Sequence, residues 1–174
     1  MRLSYPQSCV QLQKAGYLDP GPIPPIPKRM PRFDDPEPLG VNFFRTQIEN
    51  ARLENLTLAR TFFGRSMFVD VSFKNSDVSE SSLCWNDFAN VDFTDANLEL
   101  SDLRGSTFTN TLFVRANLKK ADLRRSQFES CSFEGANLDG SVFHSRQRAM
   151  LHLSEAQIRQ VAWTNDEGDE PGGG

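Results

Sequence analysis

The residues that most often perform acid–base, nucleophilic or metal chemistry are few and scattered in this chain. Both histidines, His144 and His152, lie near the C-terminal end, and neither has a cysteine, serine or carboxylate at a spacing typical of a catalytic triad or a metal site. The three cysteines, Cys9, Cys84 and Cys131, are too few and too far apart for a disulfide framework or a zinc site. The sequence therefore predicts a protein that is not an enzyme, with no catalytic residues, no metal and no cofactor.

Acidic side chains are the other candidates for chemistry, but they recur at one position of a short repeat. An aspartate or asparagine often comes directly before a large apolar residue, as in Asp77, Asp92 and Asn117. Because the same residue types return in repeat after repeat, solvation and turn stabilisation explain them better than general acid catalysis. We therefore interpret most of these carboxylates as ordinary surface residues.

The charges are unevenly distributed along the chain, although the net charge is only −4. One stretch is acidic, and we call it the acidic girdle: Asp70, Asp77, Glu80, Asp87, Asp92, Asp95, Glu99 and Asp102. The next stretch is basic, and we call it the basic patch: Arg104, Arg115, Lys119, Lys120, Arg124 and Arg125. Ordinary solvated surface explains part of this segregation, but its scale favours an electrostatically matched partner.

The element that positions these side chains is a five-residue repeat. Every fifth residue is Phe, Leu, Ile or Val, without a gap: Phe43, Ile48, Leu53, Leu58, Phe63, Phe68, Phe73, Val78, Leu83, Phe88, Phe93, Leu98, Leu103, Phe108, Phe113, Leu118, Leu123, Phe128, Phe133, Leu138 and Phe143. A period of five excludes an amphipathic α-helix, in which these residues would spiral around the axis. It also excludes a long strand, whose side chains alternate with period two. The chain must therefore bend once in every repeat.

Four such bends close a square coil of 20 residues. The residue two before each large apolar centre is usually small, as in Ser76 and Ala96, and points to the same inward side. In the 20-residue coil, Phe68, Phe88, Phe108 and Phe128 form a first face; Phe73, Phe93, Phe113 and Phe133 a second; Val78, Leu98, Leu118 and Leu138 a third; and Leu83, Leu103, Leu123 and Phe143 a fourth. The acidic girdle then encircles the rod, whereas the basic patch gathers on the third and fourth faces.

The repeat resembles the pentapeptide repeat family, whose motif is Ala-(Asp or Asn)-Leu-x-x. The match is close in 96–98, 116–118, 121–123 and 136–138 and extends over about 100 of the 174 residues. The resemblance implies an all-β fold, a right-handed quadrilateral β-helix of about five coils. Leu56 and Asn86 stand where a small inward residue is expected, which predicts a local bulge or a looser corner there.

The chain before the repeat is rich in proline between residues 18 and 40, which excludes helix and central strand and favours an extended conformation. This arm is either a disordered leader or a segment packed along the rod. Apolar residues in it favour packing against an arm-packing patch, in which Phe44, Phe62 and Trp85 occupy positions where the motif expects polar side chains. Upstream, residues 7–15 are consistent with one short helix.

The chain after the repeat, from Arg148, carries signals for a cap. Ser154 and Gln157 form a capping box, and a short helix from about Glu155 to Trp163 is predicted to close the open end of the rod. The alternative is a dimer contact, which relatives in the family make through their C-terminal ends. We therefore divide the chain into a proline-rich arm (1–40), a β-helix (41–145), a C-terminal cap (146–165) and an acidic, glycine-rich tail predicted to be disordered (166–174).

The predicted function is a non-catalytic protein–protein interaction module, and related bacterial proteins suggest a regulatory, protective or toxin-neutralising role. Its predicted partner-binding residues come from the girdle and the patch: Asp77, Glu80, Asp87, Asp92, Asp95, Glu99, Asp102, Lys119, Lys120, Arg124 and Arg125. One alternative, which the resemblance implies, is a DNA mimic that modulates type II topoisomerases such as gyrase and protects against quinolones. A weaker alternative is nucleic-acid binding through the basic patch.

The remaining predictions concern location and assembly. The sequence shows neither a signal peptide nor an apolar run long enough to span a membrane, so a bacterial cytoplasm is expected. A protein partner, with topoisomerase as one possibility, is expected in place of a small-molecule substrate or a membrane. The chain is predicted to be a monomer, or a homodimer through its C-terminal end.

Overall fold

The computed structural model describes residues 1–168 and confirms the β-solenoid, a right-handed quadrilateral β-helix of about 6 turns. Its helices are α1 (Tyr5–Lys14) and α2 (Glu155–Gln160), with a 3₁₀ helix at Ser145–Met150. Its strands are β1 (Asn42–Phe44), β2 (Gln47–Arg52), β3 (Phe62–Gly64), β4 (Met67–Ser72), β5 (Asp87–Ala89), β6 (Thr107–Thr109), β7 (Gln127–Glu129), β8 (Val142–His144) and β9 (Ala162–Thr164).

All strand pairing is parallel, and the paired residues are 20 apart in sequence. The first face forms a five-stranded sheet in the order β2-β4-β5-β6-β7, and the fourth face contributes the pairs β1-β3 and β8-β9. Elsewhere the coils join through single bridges with the same offset, such as Asp77 with Asn97. The predicted coil length is therefore correct, and it places residues 20 apart in columns along the rod.

Each corner of the coil is a tight turn with a left-handed residue. Every fifth residue from 45 to 140 has φ between 48° and 71°, and only three of them are glycines. At a typical corner the Ala96 N–H donates to the Phe93 carbonyl (3.0 Å) across Asp95, whose φ is 58°. A side chain at such a position costs about 1–2 kcal/mol, which the stacking of neighbouring coils must offset. In return, every corner residue other than these glycines projects a side chain away from the core.

The interior is a closed column of stacked side chains. Rings on the first face stack almost in parallel, with 5.0 Å between the centroids of Phe88 and Phe108. Inward serines bond the coil before them, as when the Ser106 hydroxyl donates to the Leu83 carbonyl (2.6 Å). Asn86 performs the same task with a longer side chain: its amide donates to the Phe63 carbonyl (3.0 Å), and its oxygen accepts from the Ser66 N–H (2.9 Å).

The bulge or looser corner that we expected at the two departures from the motif is absent. β5 follows Asn86 directly and pairs with β4 at the regular 20-residue offset. Leu56 is buried, and its N–H donates to the Ser76 hydroxyl (3.0 Å) in the next coil. Neither side chain is small, yet both fit the interior without disturbing the register.

The N-terminal end of the solenoid is closed by α1. We predicted this helix to begin at residue 7, two residues after its observed start at Tyr5. The helix begins with a capping box at Ser4 and has Pro6 in its first turn, which is why it starts where it does. Cys9 and Leu12 are fully buried and belong to the main hydrophobic core. The Ser8 hydroxyl accepts from the Thr57 N–H (2.8 Å), so the helix also bonds the first coil.

The C-terminal end is closed by one further coil that retains the 20-residue spacing while replacing two strands by helices. The 3₁₀ helix follows β8, α2 follows at the third face, and β9 returns to the fourth face, where Trp163 lies opposite Phe143. The capping helix is thus confirmed, but it ends at Gln160 and not at Trp163. The reason is that Val161 is extended (ψ 136°) and leads directly into the strand pairing of β9.

Candidate interaction surface

The interior of the rod offers no room for a substrate, so any recognition must use its outer surface. All of the apolar repeat centres are buried, and the aromatic ladders on the first and second faces are in ring contact from coil to coil. Within residues 1–168, no group of histidine, cysteine and acidic side chains could hold a metal ion. The free thiol of Cys84 is buried, and this burial raises its pKa well above the usual value, which disfavours the nucleophilic thiolate.

The acidic girdle is distributed over all four faces, and most of its carboxylates have a local partner. Asp102 pairs with Arg104 (2.7 Å), Asp95 with Arg115 (2.9 Å), and Asp92 with Lys74 (3.4 Å). The hydrogen bond from Arg115 holds the pKa of Asp95 below its usual value. The structure therefore does not gather these predicted partner-binding residues into one acidic surface.

The other predicted acidic residues also have neighbours one coil away. Glu80 pairs with Arg60 (3.4 Å). Asp77 accepts from the Asn97 amide (3.2 Å), and Glu99 from the Asn117 amide (3.4 Å). Asp87 on the first face accepts from the hydroxyl of Thr107. These contacts form polar ladders along the rod, which is the solvating role that the repeat pattern suggested.

The basic patch separates into two places. Lys119 and Lys120 lie at the corner between the third and fourth faces, next to Leu100, which is 45% exposed. Arg124 pairs with Asp122 (2.7 Å), and Arg125 donates to the carbonyls of the C-terminal segment. These two arginines lie at the corner between the fourth and first faces, so the structure does not bring all four predicted residues together.

The arm-packing patch is only partly covered by the arm. The ring of Phe33 lies edge-on to Phe62 with 4.8 Å between centroids, and Phe62 is only 5% exposed. Phe44 has 6.4 Å between its centroid and that of Phe33 and remains 43% exposed. Trp85 lies one coil further along, against Gly105, where a Cβ atom would approach its ring to 2.7 Å. Whether the arm stabilises the rod through these contacts stays a prediction.

A column that the five-residue pattern does not reveal runs along the corner between the fourth and first faces. Reading every twentieth residue gives the arginine corner: Arg45, Arg65, Trp85, Gly105 and Arg125. Three members of the column bond to the coil that follows through their backbone N–H groups: Arg45 to the Gly64 carbonyl (3.0 Å), Trp85 to that of Arg104 (3.3 Å) and Gly105 to that of Arg124 (3.3 Å). The sequence contained this signal, but it appears only when the chain is read by coils and not by repeats.

The two N-terminal arginines of this corner lie beside aromatic rings and have no carboxylate partner among the described residues. The Arg45 guanidinium lies 5.2 Å from the centre of the Phe44 ring, and that of Arg65 lies 5.8 Å from the centre of Phe33. Such cation–π contacts orient the guanidinium groups and leave their hydrogen-bond donors available. The arm thus helps to shape a basic, aromatic surface.

Two open grooves follow this corner on the side of the first face. The N-terminal groove, of about 500 Å³, is lined by Arg45, Arg65, Met67, Trp85 and Asp87 among others, and Met67 is 41% exposed. The C-terminal groove, of about 780 Å³, lies beside β7, the last strand of its sheet. Its lining includes Thr107, Thr109, Arg125, Gln127, Arg146 and Met150.

The described part of the C-terminal segment lies across the end of the arginine corner. Arg125 donates from Nε to the Glu167 carbonyl (3.2 Å) and from Nη2 to the Gly168 carbonyl (2.9 Å). The carboxylate of Glu167 forms an ion pair with Arg146 and lies 3.8 Å from the imidazole of His144. His144 and Arg146 therefore lie around the carboxylate of Glu167 and do not form a catalytic arrangement.

None of the helices within the described residues is both long and apolar enough to cross a lipid bilayer. No curated protein sequence matches the chain. The sequence pattern described as "Pentapeptide repeats" matches with 8 copies, in residues 68–105, 87–110 and 106–144.

Among solved structures, HetL is similar, a pentapeptide repeat protein involved in heterocyst differentiation regulation in the cyanobacterium Nostoc sp. strain PCC 7120. The TM-score is 0.58 at 20% identity, over 61% of this chain and 46% of HetL, so the match spans less than half of that protein. A pentapeptide repeat protein from the cyanobacterium Cyanothece 51142 gives a TM-score of 0.47 at 16% identity, over 55% of this chain and 82% of that one.

QnrB1, a plasmid-mediated fluoroquinolone resistance protein, gives a TM-score of 0.31 at 16% identity, over 72% of this chain and 90% of QnrB1. Likeness at these identities speaks for the fold alone. The matched repeats, the 20-residue parallel register and the square coil agree with one another, and they identify residues 68–144 as pentapeptide repeats that fold into a quadrilateral β-helix.

Proposed function

We propose that this chain is a non-catalytic protein-interaction module whose main binding surface is the arginine corner with its N-terminal groove. The observation that carries the proposal is the cluster of Phe44, Arg45, Arg65, Met67 and Trp85 on one corner of the rod. Phe44 and Met67 are exposed large apolar side chains, and the two arginines have no carboxylate partner within residues 1–168.

This combination is the one that protein interfaces favour. Aromatic residues, methionine and arginine are enriched in interface cores, and tryptophan and arginine are enriched among the residues that dominate binding energy. The rigid backbone of the corner adds to this, because the side chains are presented by stacked coils and need little ordering on binding. A partner with acidic and apolar groups would complement the surface.

The absence of an enzymatic role is part of the proposal. The buried aromatic column leaves no enclosed cavity for a substrate, and the grooves on the surface are open and lack an acid–base pair with a bound nucleophile. A regulatory, protective or toxin-neutralising role would each be compatible with such a module. A cytoplasmic location, and a monomer or a homodimer through the C-terminal end, stay predictions.

The DNA-mimic alternative has less support. Mimicry of DNA requires a continuous line of unpaired negative charge. Here Asp92, Asp95 and Asp102 are each paired with a cationic side chain, which interrupts such a line. A supercoiling assay with purified gyrase tests this alternative, and we expect no effect at micromolar concentrations of the protein.

The test of the main proposal is affinity capture with matched charge reversals. The full chain, the variant R45E/R65E and the control variant K119E/K120E serve as baits, each with and without nuclease treatment of the extract. We expect proteins that bind wild type and control but not R45E/R65E. Identical profiles for all three baits would exclude the arginine corner. Loss of binding after nuclease treatment would favour the nucleic-acid alternative, in which bases would stack on Trp85.

A further inference from the structure

We propose that a small aromatic pocket between the proline-rich arm and the rod binds one large apolar side chain, preferably aromatic, of an acidic peptide segment whose carboxylates bind Arg45 and Arg65. This inference rests on the proposed function, because it names the partner chemistry of the same surface. We call the cavity the anchor pocket, and its lining includes Pro31, Phe33, Leu39, Asn42, Phe44 and Phe62.

The walls of the anchor pocket come from two parts of the chain. Phe44 belongs to β1 and Phe62 to β3, whereas Phe33 comes from the arm. The Phe33 ring stands edge-on to Phe62, with 4.8 Å between centroids, and edge-on to Phe44, with 6.4 Å. The rings of Phe44 and Phe62 are themselves tilted by 53°. Three rings at such angles leave a concave space between them, and the pocket lies there.

Gly64 makes room for two of these rings. An added Cβ atom at this position of β3 would lie 2.5 Å from the ring of Phe62 and 3.0 Å from that of Phe33. Glycine weakens the interior of a strand, and there it often marks the close approach of another group. Here the approaching groups are the two rings, so the missing side chain allows both of them to lie against the strand.

The volume of the anchor pocket suits one side chain. It measures about 180 Å³. A cavity of about 150 Å³ can hold a benzene ring, whereas sites for drug-sized ligands measure about 300–1,000 Å³. Phe44 is 43% exposed, so the pocket opens to solvent. Size and lining therefore favour a single aromatic or large aliphatic side chain as the occupant.

The charged groups that line the anchor pocket largely cancel. Asp35 forms an ion pair with Arg29 and accepts from the Arg32 N–H (2.8 Å). The hydrogen bond from Arg29 holds the pKa of Asp35 below its usual value, so both groups stay ionised at neutral pH and their charges offset each other. Arg32 and Glu37, the other charged residues of the lining, are both exposed and have opposite signs.

An excess of positive charge is provided by the arginine corner beside the pocket. The Arg45 guanidinium lies 5.2 Å from the centre of the Phe44 ring, and that of Arg65 lies 5.8 Å from the centre of the Phe33 ring. Two walls of the pocket thus each carry an arginine, and neither arginine has a carboxylate partner within residues 1–168. Carboxylates next to an anchored side chain would lie near these guanidinium groups and form charge-assisted hydrogen bonds with them.

An apolar anchor with charged neighbours is an arrangement typical of interface hot spots. The anchor contributes affinity because it leaves water for a well-packed pocket. The flanking carboxylates contribute specificity and speed of association through their attraction to the arginines. The partner segment is therefore short and acidic, with one aromatic residue among its carboxylates.

The experiment uses the full chain and two defined probes. The first is a fluorescent heptapeptide with a central tryptophan and three acidic residues on each side, and the second has alanine in place of the tryptophan. Acidic residues on both sides allow the probe to bind in either direction. Binding is measured by anisotropy at low salt. We expect the tryptophan probe to bind at least about tenfold more tightly than the alanine probe, as truncation of an anchor side chain commonly shows.

Variants of the protein locate the anchor. Phe44→Ala removes one wall of the pocket, and Asn42→Trp fills the pocket from β1. Each should weaken the tryptophan probe about tenfold and the alanine probe less than about twofold, because only the first probe uses the pocket. Leu112→Ala, which truncates a similarly exposed side chain on the second face, is the matched control and should change neither probe.

The charge is tested in the same way. R45E/R65E should weaken both probes about tenfold or more, whereas K119E/K120E should change their binding less than about twofold. Thermal unfolding of each variant, followed by circular dichroism, verifies that the rod is intact.

Three results would overturn the inference: no binding of the tryptophan probe, equal binding of both probes to wild type, or binding of the tryptophan probe that neither Phe44→Ala nor Asn42→Trp weakens. The affinity capture described above has separate outcomes. If capture depends on Arg45 and Arg65 while the two probes bind equally, the interaction module stands and the anchor pocket is rejected. If the probes behave as expected but all capture profiles are identical, the pocket binds such segments and the arginine corner is rejected as the main partner surface.

Discussion

The two ends of this rod meet the same requirement in different ways. A solenoid end exposes both apolar side chains and backbone groups without a following coil. At the N-terminal end α1 contributes mainly apolar burial, with Cys9 and Leu12 in the core. At the C-terminal end the capping coil contributes polar side chains that replace the missing strands.

Two glutamines show how the C-terminal cap works. The Gln147 amide donates to the carbonyls of Leu123 and Ser126 (both 2.9 Å), and the Gln157 amide donates to those of Phe133 (2.6 Å) and Ala136 (3.2 Å). In each case the amide oxygen accepts from the N–H of the residue before the helix, completing a capping box. One side chain thus satisfies both the helix start and the edge of the last coil.

The comparison shows that a cap can be built without continuing the repeat motif, provided that the backbone of the last coil is satisfied. Hydrophobic burial is dominant at one end and hydrogen bonding at the other. The following predictions test this difference, beginning with the largest expected effect.

Leu12→Ala should lower the free energy of unfolding by about 2–5 kcal/mol, because it removes a fully buried side chain at the N-terminal end. The exposed Val10 on the same helix provides the control, and Val10→Ala should have little effect. Chemical denaturation with both variants measures the difference. Equal stabilities would mean that α1 does not seal the core.

Gln157→Ala should cost about 1–3 kcal/mol, since it removes the side-chain donor of the Ala136 carbonyl and leaves the Phe133 carbonyl with only the Ala136 N–H. Gln157→Glu should cost at least as much, because an ionised carboxylate cannot donate. Arg159→Ala, at an exposed position of the same helix, is the control. If Gln157→Ala were as stable as the control, the polar account of the C-terminal cap would be wrong.

Phe33→Ala should cost about 1–2 kcal/mol through the loss of its ring contacts with Phe44 and Phe62. It should also increase binding of a surface-sensitive dye, because Phe62 becomes exposed. Deletion of residues 1–40 would remove α1 as well, so the single substitution isolates the arm. Unchanged stability and dye binding would show that the arm is not part of the N-terminal closure.

Leu100→Gly should stabilise the protein by about 0.5–1 kcal/mol, because glycine relieves the left-handed strain at φ 60° in the middle of the rod. Leu112→Gly is the matched control, since Leu112 is similarly exposed but lies in an extended bridge. That substitution should destabilise. A shift of both variants in the same direction would contradict the corner argument.

The smallest effect concerns the exposed pair of Asp95 and Arg115. Because the pKa of Asp95 is lowered in the folded state, its contribution is present above pH about 4 and is lost as the pH falls through the folded pKa. Arg115→Gln should therefore unfold at a lower temperature than wild type at pH 7 but not at pH 2. A difference that persists at pH 2 would point to packing of the arginine stem.

The regular part of this structure could be predicted well from the sequence, because one residue in every five is a large apolar side chain that must be buried. Phe88 and Phe108 must face inward for the coil to close, so their spacing alone fixes the fold and the register. The caps were predicted less well, since α1 and the 3₁₀ helix are not part of the repeat. Of the two glutamines, only Gln157 carried a sequence signal, the capping box with Ser154. The residue type of Gln147 and Gln157 did not indicate that their amides would bond to carbonyls of the preceding coil.

The candidate site was harder to predict for a different reason. Linear charge runs suggested one basic patch, but Lys119 and Arg124 project from different corners. Arg45, Arg65 and Arg125 are far apart in sequence, and only the 20-residue register places them in line. Their importance also depends on which arginines find carboxylates, and that is set by side-chain geometry between coils.

The five-residue corner has a geometric consequence for the evolution of such rods. Inserting or deleting 20 residues changes the length but keeps every column aligned. Inserting five keeps a large apolar residue at every inward centre, yet rotates everything beyond the insertion by a quarter turn. Surface residues on the two sides of the insertion would then face different directions. A single five-residue duplication can therefore change which residues share a face of the rod while the fold stays the same.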